Sequence, residues 1–127
     1  MGYRSDVAYV IQFESTQQRD EFVSLMLAKN DKHTTEAINE CEYGYKDDPL
    51  ITFKAENVKW YSEFDDVKAH KQLCNEANEI YNAIYRCVEM GEDGAVTEDA
   101  EDNGGELEGY VYPIIKLSIN FPPTTQE

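Results

Sequence analysis

Three groupings in this 127-residue chain have residue types and spacings suited to chemistry. His70 and Cys74 stand four apart in a segment of helical apolar periodicity, so they share one helix face. A Cys–His pair is one form of activated nucleophile. Asp99-x-Glu101-x-Asn103-Gly104 has the oxygen-ligand spacing that opens a calcium loop of the EF-hand type, but the twelfth position, where a bidentate Glu is needed, falls on Tyr110. The third grouping is carboxylate alone. On an extended strand alternate residues lie about 6.6–6.8 Å apart, so Glu40 and Glu42, with Glu36 further along, would form a row of charges spaced like the phosphates of one nucleic-acid strand. Asp20, Glu21, Glu56 and Glu63, with Glu98, Asp99, Glu101 and Asp102, would extend such a surface. Each grouping also has a plain reading. His70 and Cys74 suit a packing face, and acidic residues suit a solvated one.

Charge bounds the partner. The chain holds 26 acids against 11 bases, a net −15, and residues 91–109 alone carry eight carboxylates with no Lys or Arg. Such a surface repels nucleic acid and anionic membranes and attracts basic partners. The sequence has no Gly-x-x-x-x-Gly-Lys, Gly-x-Gly-x-x-Gly or Gly-x-Ser-x-Gly motif, so no cofactor or nucleophile motif points to an enzyme. It has no run of about 18 apolar residues, and its first residues lack the apolar region of a secretory signal. Cys41, Cys74 and Cys87 form no C-x-x-C pair and read as three free thiols in a reducing compartment. The expectation is a single cytoplasmic domain with no cofactor.

The elements that must position these residues follow from periodicity. Arg4–Phe13 is predicted as a first strand buried on both faces and therefore central. Ser15, with Gln18 three residues on, predicts the start of a helix over Thr16–Lys29 that Asn30 stops. Residues 34–45 fit two readings. A helix would stack Glu36 on Glu40, a mildly unfavourable like-charge pair. A strand would put Cys41, Tyr43 and Tyr45 on one face and the glutamates on the other, pairing with Leu50–Tyr61 across the turn at 46–49, and this hairpin is preferred. Within Leu50–Tyr61 the apolar parity changes from Ile51, Phe53 and Ala55 to Val58 and Trp60, which predicts a bulge at Glu56-Asn57. Val67, His70, Leu73, Cys74, Ala77, Ile80, Tyr81 and Ile84 predict a second helix, capped by Asp65 or Asp66 and ending near Ile84. Tyr85–Met90 is predicted as a strand. Residues 91–109 read as a flexible insert between strands that offers little to bury beyond Val96 and Leu107. Tyr110–Phe121 is predicted as a last strand and 122–127 as a tail. The sum is an α+β fold, with two helices on one face of a mainly antiparallel four- to five-stranded sheet, ferredoxin-like with an added C-terminal strand.

The opening Gly2-Tyr3-Arg4-Ser5-Asp6-Val7 resembles the start of a group of small uncharacterised proteins of tailed bacteriophages. Leu25-Met26-Leu27-Ala28-Lys29-Asn30-Asp31, Ala37-Ile38-Asn39-Glu40-Cys41-Glu42, Val58-Lys59-Trp60-Tyr61 and Asp66-Val67-x-Ala69-His70 are similar to the same group. The resemblance brings no catalytic residues. It implies a phage accessory protein that inhibits a host enzyme, in some cases as a DNA mimic. With the charge, it leads to an expected non-enzymatic protein that binds a basic surface on a host nucleic-acid-handling or defence protein, without contacting nucleic acid or membrane itself. The alternatives are a small enzyme or metal-binding protein, using His70 and Cys74 or Asp99, Glu101 and Asn103, and a virion component. The oligomeric state, a homodimer included, stays open.

Overall fold

The computed structural model describes residues 3–43 and 48–107. Its elements are β1 (Ser5–Gln12), α1 (Thr16–Ala28), α2 (Lys32–Glu40), β2 (Leu50–Val58), α3 (Asp65–Tyr81), β3 (Ile84–Gly91) and β4 (Val96–Glu101). The strands form one sheet in the order β2-β1-β3-β4, and every pair is antiparallel. β1 is central and buried on both faces, as its unbroken apolar run requires.

Alternation along β1 sorts the core into two layers. Val7, Tyr9 and Ile11, with Ile51 and Phe53 of β2 and Tyr85 and Cys87 of β3, pack against all three helices through Phe22, Met26, Ala37, Ile38, Leu73, Cys74 and Ala77. Ala8 and Val10 on the other face pack with Leu50, Val88 and Leu107. Fully burying one side chain of this size contributes roughly 1.5–3 kcal/mol before entropy is counted, so the two layers together hold the sheet.

Local signals set the element ends. The Ser15 hydroxyl accepts from the Gln18 amide at 3.2 Å, while the Gln18 side chain takes the Glu14 amide. Asn30, Asn57, Asn82 and Asn103 all adopt left-handed backbone (φ of 56–59°), which asparagine tolerates better than most residues. They fall just beyond α1, at the break in β2, after α3 and after β4. The break at Asn57 is the expected bulge: register shifts between Ser5 and Val7 opposite Val58 and Ala55, and Val58 and Trp60 rejoin the layer of Ile51 and Phe53.

Three expectations need correction. Residues 32–40 are helical, so the preferred hairpin is replaced by α2. Asp31 accepts from the Thr34 amide at 2.9 Å, and Thr34, Ala37 and Ile38 make a buried i, i+3, i+4 face. Their burial outweighs the few tenths of a kcal/mol of Glu36–Glu40 repulsion. Among the described residues the hairpin is reduced to one bridge, Glu42 to Thr52, with both hydrogen bonds at 2.8 Å. The second predicted helix ends at Tyr81, because Asn82 turns left-handed and Ile84 opens β3; its N-cap position is Phe64, with Asp65 and Asp66 in the first turn. The acidic segment, expected as a flexible insert, supplies β4. The α+β class and the antiparallel sheet are as expected, with four described strands in the order β2-β1-β3-β4; the ferredoxin-like arrangement is not confirmed. The strand expected over 110–121 and the tail over 122–127 lie outside the described residues, as do Tyr45 and the first half of the 46–49 turn.

The α2 helix has a direct test. Ile38→Ala should cost about 2–5 kcal/mol in urea unfolding, the range for truncating a fully buried Ile. Asp31→Ala should lower the midpoint while Asp31→Asn retains it, because either side chain caps a helix. A hairpin in this stretch would be indifferent to both Asp31 changes.

Candidate functional site: the β3–β4 carboxylate face and the His70 junction

The eleven carboxylates singled out from the sequence do not form one patch. Ten are exposed and Asp102 is buried. Glu42 and Glu56 lie by β2 and Glu98, Asp99 and Glu101 on β4, at opposite edges of the described sheet. Asp20 and Glu21 sit on the outer face of α1, where Arg19 and Gln17 bond them, and Glu63 precedes α3. Glu36 and Glu40 stand a helical turn apart on α2 rather than on a strand. The expected row of phosphate-like charges over 36–42 is therefore absent. Six of these groups carry a nearby partner charge or imidazole: Arg19 for Asp20, Lys54 for Glu56, His33 for Glu36, His70 for Glu40, and Arg86 for both Glu98 and Asp102.

β4 is where carboxylates do alternate on a strand. Its register places Asp99 opposite Cys87 and Glu101 opposite Tyr85, so both project on the helix side of the sheet, about 6.6–6.8 Å apart by strand geometry. Neither makes an ion pair with Lys or Arg among the described residues. Glu98 projects on the opposite side, where it and the buried Asp102 both bind the Arg86 guanidinium, Asp102 at 3.2 Å. Asp102 also accepts from the Gly105 and Leu107 amides at 3.0 and 3.1 Å. Arg86 and Leu107 thus fasten the far end of the acidic segment to the sheet.

The near end is fastened by the N-terminus. The Tyr3 hydroxyl donates to Asp93, the Arg4 amide to the Glu92 carboxylate at 2.8 Å, and the Glu92 amide to the Arg4 carbonyl at 2.9 Å. The Tyr3 ring lies so close over Gly91 that a Cβ there would fall 1.6 Å from the hydroxyl oxygen. The outcome is an ordered hairpin with exposed carboxylates at Glu92, Asp93, Glu98, Asp99, Glu101 and, past the turn, Glu106. Its field registers on a neighbour: burial first, then the charges of Asp99 and Glu101 among others, push the Tyr85 phenol up to about 12.

The second constellation surrounds His70, whose side chain is 2% exposed. The Tyr9 hydroxyl lies 2.7 Å from Nδ1 and the Glu40 carboxylate 2.8 Å from Nε2. Since a carboxylate only accepts, the neutral ring is the Nε2–H tautomer and Nδ1 accepts from Tyr9. Phe53, Trp60 and Tyr9 enclose the ring, with centroids at 4.1, 5.5 and 5.7 Å. The Tyr9 oxygen is also 3.4 Å from Cys41 Sγ. Sequence reasoning saw that His70 lies on a packing face. It missed Tyr9 and Glu40, which are 61 and 30 residues away.

Both ring nitrogens being engaged, His70 forms its bonds with Tyr9 and Glu40 rather than with Cys74. Burial pushes the Cys74 thiol well above its ordinary range, and takes Cys87 up to about 12 and Cys41 up to about 11. These are protonated thiols at neutral pH, unlike an activated nucleophile. Among the described residues no group of three or more His, Cys, Asp or Glu side chains is placed to hold a metal ion. Asp99 and Glu101 share a face, but Asn103 lies beyond the strand in the turn. Nor is any described helix long and apolar enough to cross a membrane. No family model matches the chain, and comparison with curated proteins and with solved structures returns no significant match.

Two outcomes follow. Asp102→Ala should destabilise the protein by roughly 3–5 kcal/mol, because it removes one partner of a buried ion pair, whereas Asp99→Ala should stay within about 0.5 kcal/mol; chemical denaturation of both variants compares them. Burial lowers the His70 pKa, and the Glu40 hydrogen bond opposes that shift without reversing it. The folded state therefore takes up its proton at lower pH than the unfolded chain. The stability due to neutral His70 is present above about pH 6.5 and is lost as pH falls through the lower folded value. NMR titration should place His70 below its ordinary range in the native protein, and Glu40→Gln should move it lower still.

Proposed function

We propose that this chain is a non-enzymatic, phage-type accessory protein of the host cytoplasm. It docks on the basic, nucleic-acid-binding surface of a host nucleic-acid-handling or defence protein and inhibits it as a DNA mimic. The observation that carries the reading is the pair Asp99 and Glu101. They are two exposed carboxylates, alternating on one face of β4 at the edge of the described sheet, with no ion-pair partner among the described residues. An unstructured loop makes a poor ruler for phosphate spacing, whereas a strand fixes the interval.

The physics of the mimic is long-range attraction followed by register. A net charge of −15 steers a basic partner from a distance, and alternate strand carboxylates then meet Lys or Arg side chains that would otherwise meet phosphates. Arg86 lies on the opposite face of the strand, so it holds the hairpin without neutralising the face that docks. Such contacts are screened over about 8 Å at physiological ionic strength, so binding should weaken steeply with salt.

The test uses immobilised protein, a bacterial lysate and a salt gradient, followed by competition with duplex DNA for each captured protein. Duplex DNA should displace the partner. Asp99→Asn/Glu101→Gln should weaken binding about tenfold, the scale of two exposed charge contacts, with an unchanged melting temperature. Partner binding that is insensitive to salt, or a ternary complex with DNA at full occupancy, would overturn mimicry.

A further inference from the structure

We propose that His70, Tyr9 and Cys41 form a proton-operated relay at the junction of α3, β1 and α2, in which the protonation state of the buried imidazole sets the direction of the Tyr9 hydrogen bond and is passed to the Cys41 thiol. With His70 neutral, Nε2–H donates to Glu40 and Nδ1 accepts from the Tyr9 hydroxyl at 2.7 Å. Uptake of one proton from solvent makes both ring nitrogens donors. Nδ1–H then points at the Tyr9 oxygen, and Tyr9 can keep that contact only as an acceptor. Its own hydrogen must rotate to another acceptor, and Cys41 Sγ stands 3.4 Å away. Cys41 in turn has an outlet for its S–H in the Ala37 carbonyl, 3.3 Å from the sulfur. Both protonation states are thus fully hydrogen-bonded without moving a heavy atom, and only the Tyr9 and Cys41 hydrogens turn.

The surroundings suit a group that is buried yet able to take a charge. Glu40, 58% exposed at its side chain, connects the ring to solvent and becomes an ion-pair partner for the imidazolium. Asp66 on α3 adds a second negative charge that favours protonation. Phe53 of β2 and the following Trp60 lean their rings over the imidazole, where they can face a cation. A water-sized cavity beside the ring is lined by Lys71 and Cys74 of α3, Cys87 of β3 and Asp99 of β4. Lys71 is the one cation there, and Glu89 holds it at 3.2 Å. Opposing all of these is desolvation of the ring, which keeps His70 neutral at neutral pH. Acidification therefore operates the relay. Its endpoint, Cys41, follows the last residue of α2, so the signal arrives where that helix leaves for the edge of the sheet.

The experiment is an NMR titration of ¹³C,¹⁵N-labelled full chain from pH 8 to the onset of acid unfolding, following the His70 ring nitrogens and Cys41 Cβ. The neutral ring should show the Nε2–H tautomer, and Cys41 Cβ should move with the same midpoint as His70. In Tyr9→Phe, which keeps the ring and removes the hydroxyl, His70 should still titrate while the Cys41 step falls by more than half. In Glu40→Gln both midpoints should move together to lower pH, an arm that stands if Tyr9→Phe fails to fold. A neutral Nδ1–H tautomer, a Cys41 signal flat through the His70 titration, a Cys41 step retained in Tyr9→Phe, or a His70 that does not titrate before unfolding would each overturn the relay.

Discussion

A chain with 26 acids and 11 bases can lay an acidic strand along its own sheet only if repulsion is offset where that strand is anchored, and Arg86 supplies the offset. It stands on β3 with its side chain almost fully buried, between Glu98 and Asp102. A buried guanidinium needs partners, since its desolvation is costly without them, and the acidic segment delivers them. The same Asp102 caps the turn that brings Leu107 under the sheet. The far end of the acidic segment and the seat of Leu107 on the second face of β1 are thus tied to Arg86. Its contacts also decide which carboxylates are left for a partner, because Glu98 and Asp102 are consumed on one side and Asp99 and Glu101 remain on the other.

Much of the fold was legible in the sequence because apolar period and cap chemistry agree there. β1 reads as central from its unbroken apolar run, α1 from Ser15 and Gln18, the β2 bulge from the change of parity at Glu56-Asn57, and α3 from its long stripe. Two elements were misread for a shared reason: charge was given too much weight. In α2 the Glu36–Glu40 pair argued against a helix, yet a cap from Asp31 and the burial of Ala37 and Ile38 exceed that small repulsion. In β4 the density of Gly, Asp and Glu has the composition of a loop, and the residue that compensates it, Arg86, belongs to another strand. The antiparallel α+β class also follows from the order of strands, helices and turns, whereas the strand order depends on contacts that no local pattern encodes.

The candidate sites divide along the same line. The sequence identified Asp99 and Glu101 as members of an acidic segment but assigned the phosphate-like spacing to Glu36, Glu40 and Glu42, which helix α2 and the sheet edge separate. It identified His70 as a residue on a packing face, while its two hydrogen-bond partners are contributed by the first strand and the second helix. The two sites differ in kind. The β4 face is exposed, and its carboxylates are held apart by backbone geometry, as suits docking on charge. The His70 junction is enclosed, both ring nitrogens of His70 are paired, and its one variable is a proton.

The most direct measurement of the docking account is an amide chemical-shift map of the labelled protein during titration with a DNA-displaceable partner. Perturbation should concentrate on residues 96–101 and Glu106, fade as salt is raised, and leave the β2 edge at Glu56 and the outer face of α1 at Asp20 and Glu21 unchanged. Perturbation centred on α1 or β2, with Asp99 and Glu101 silent, would contradict the account.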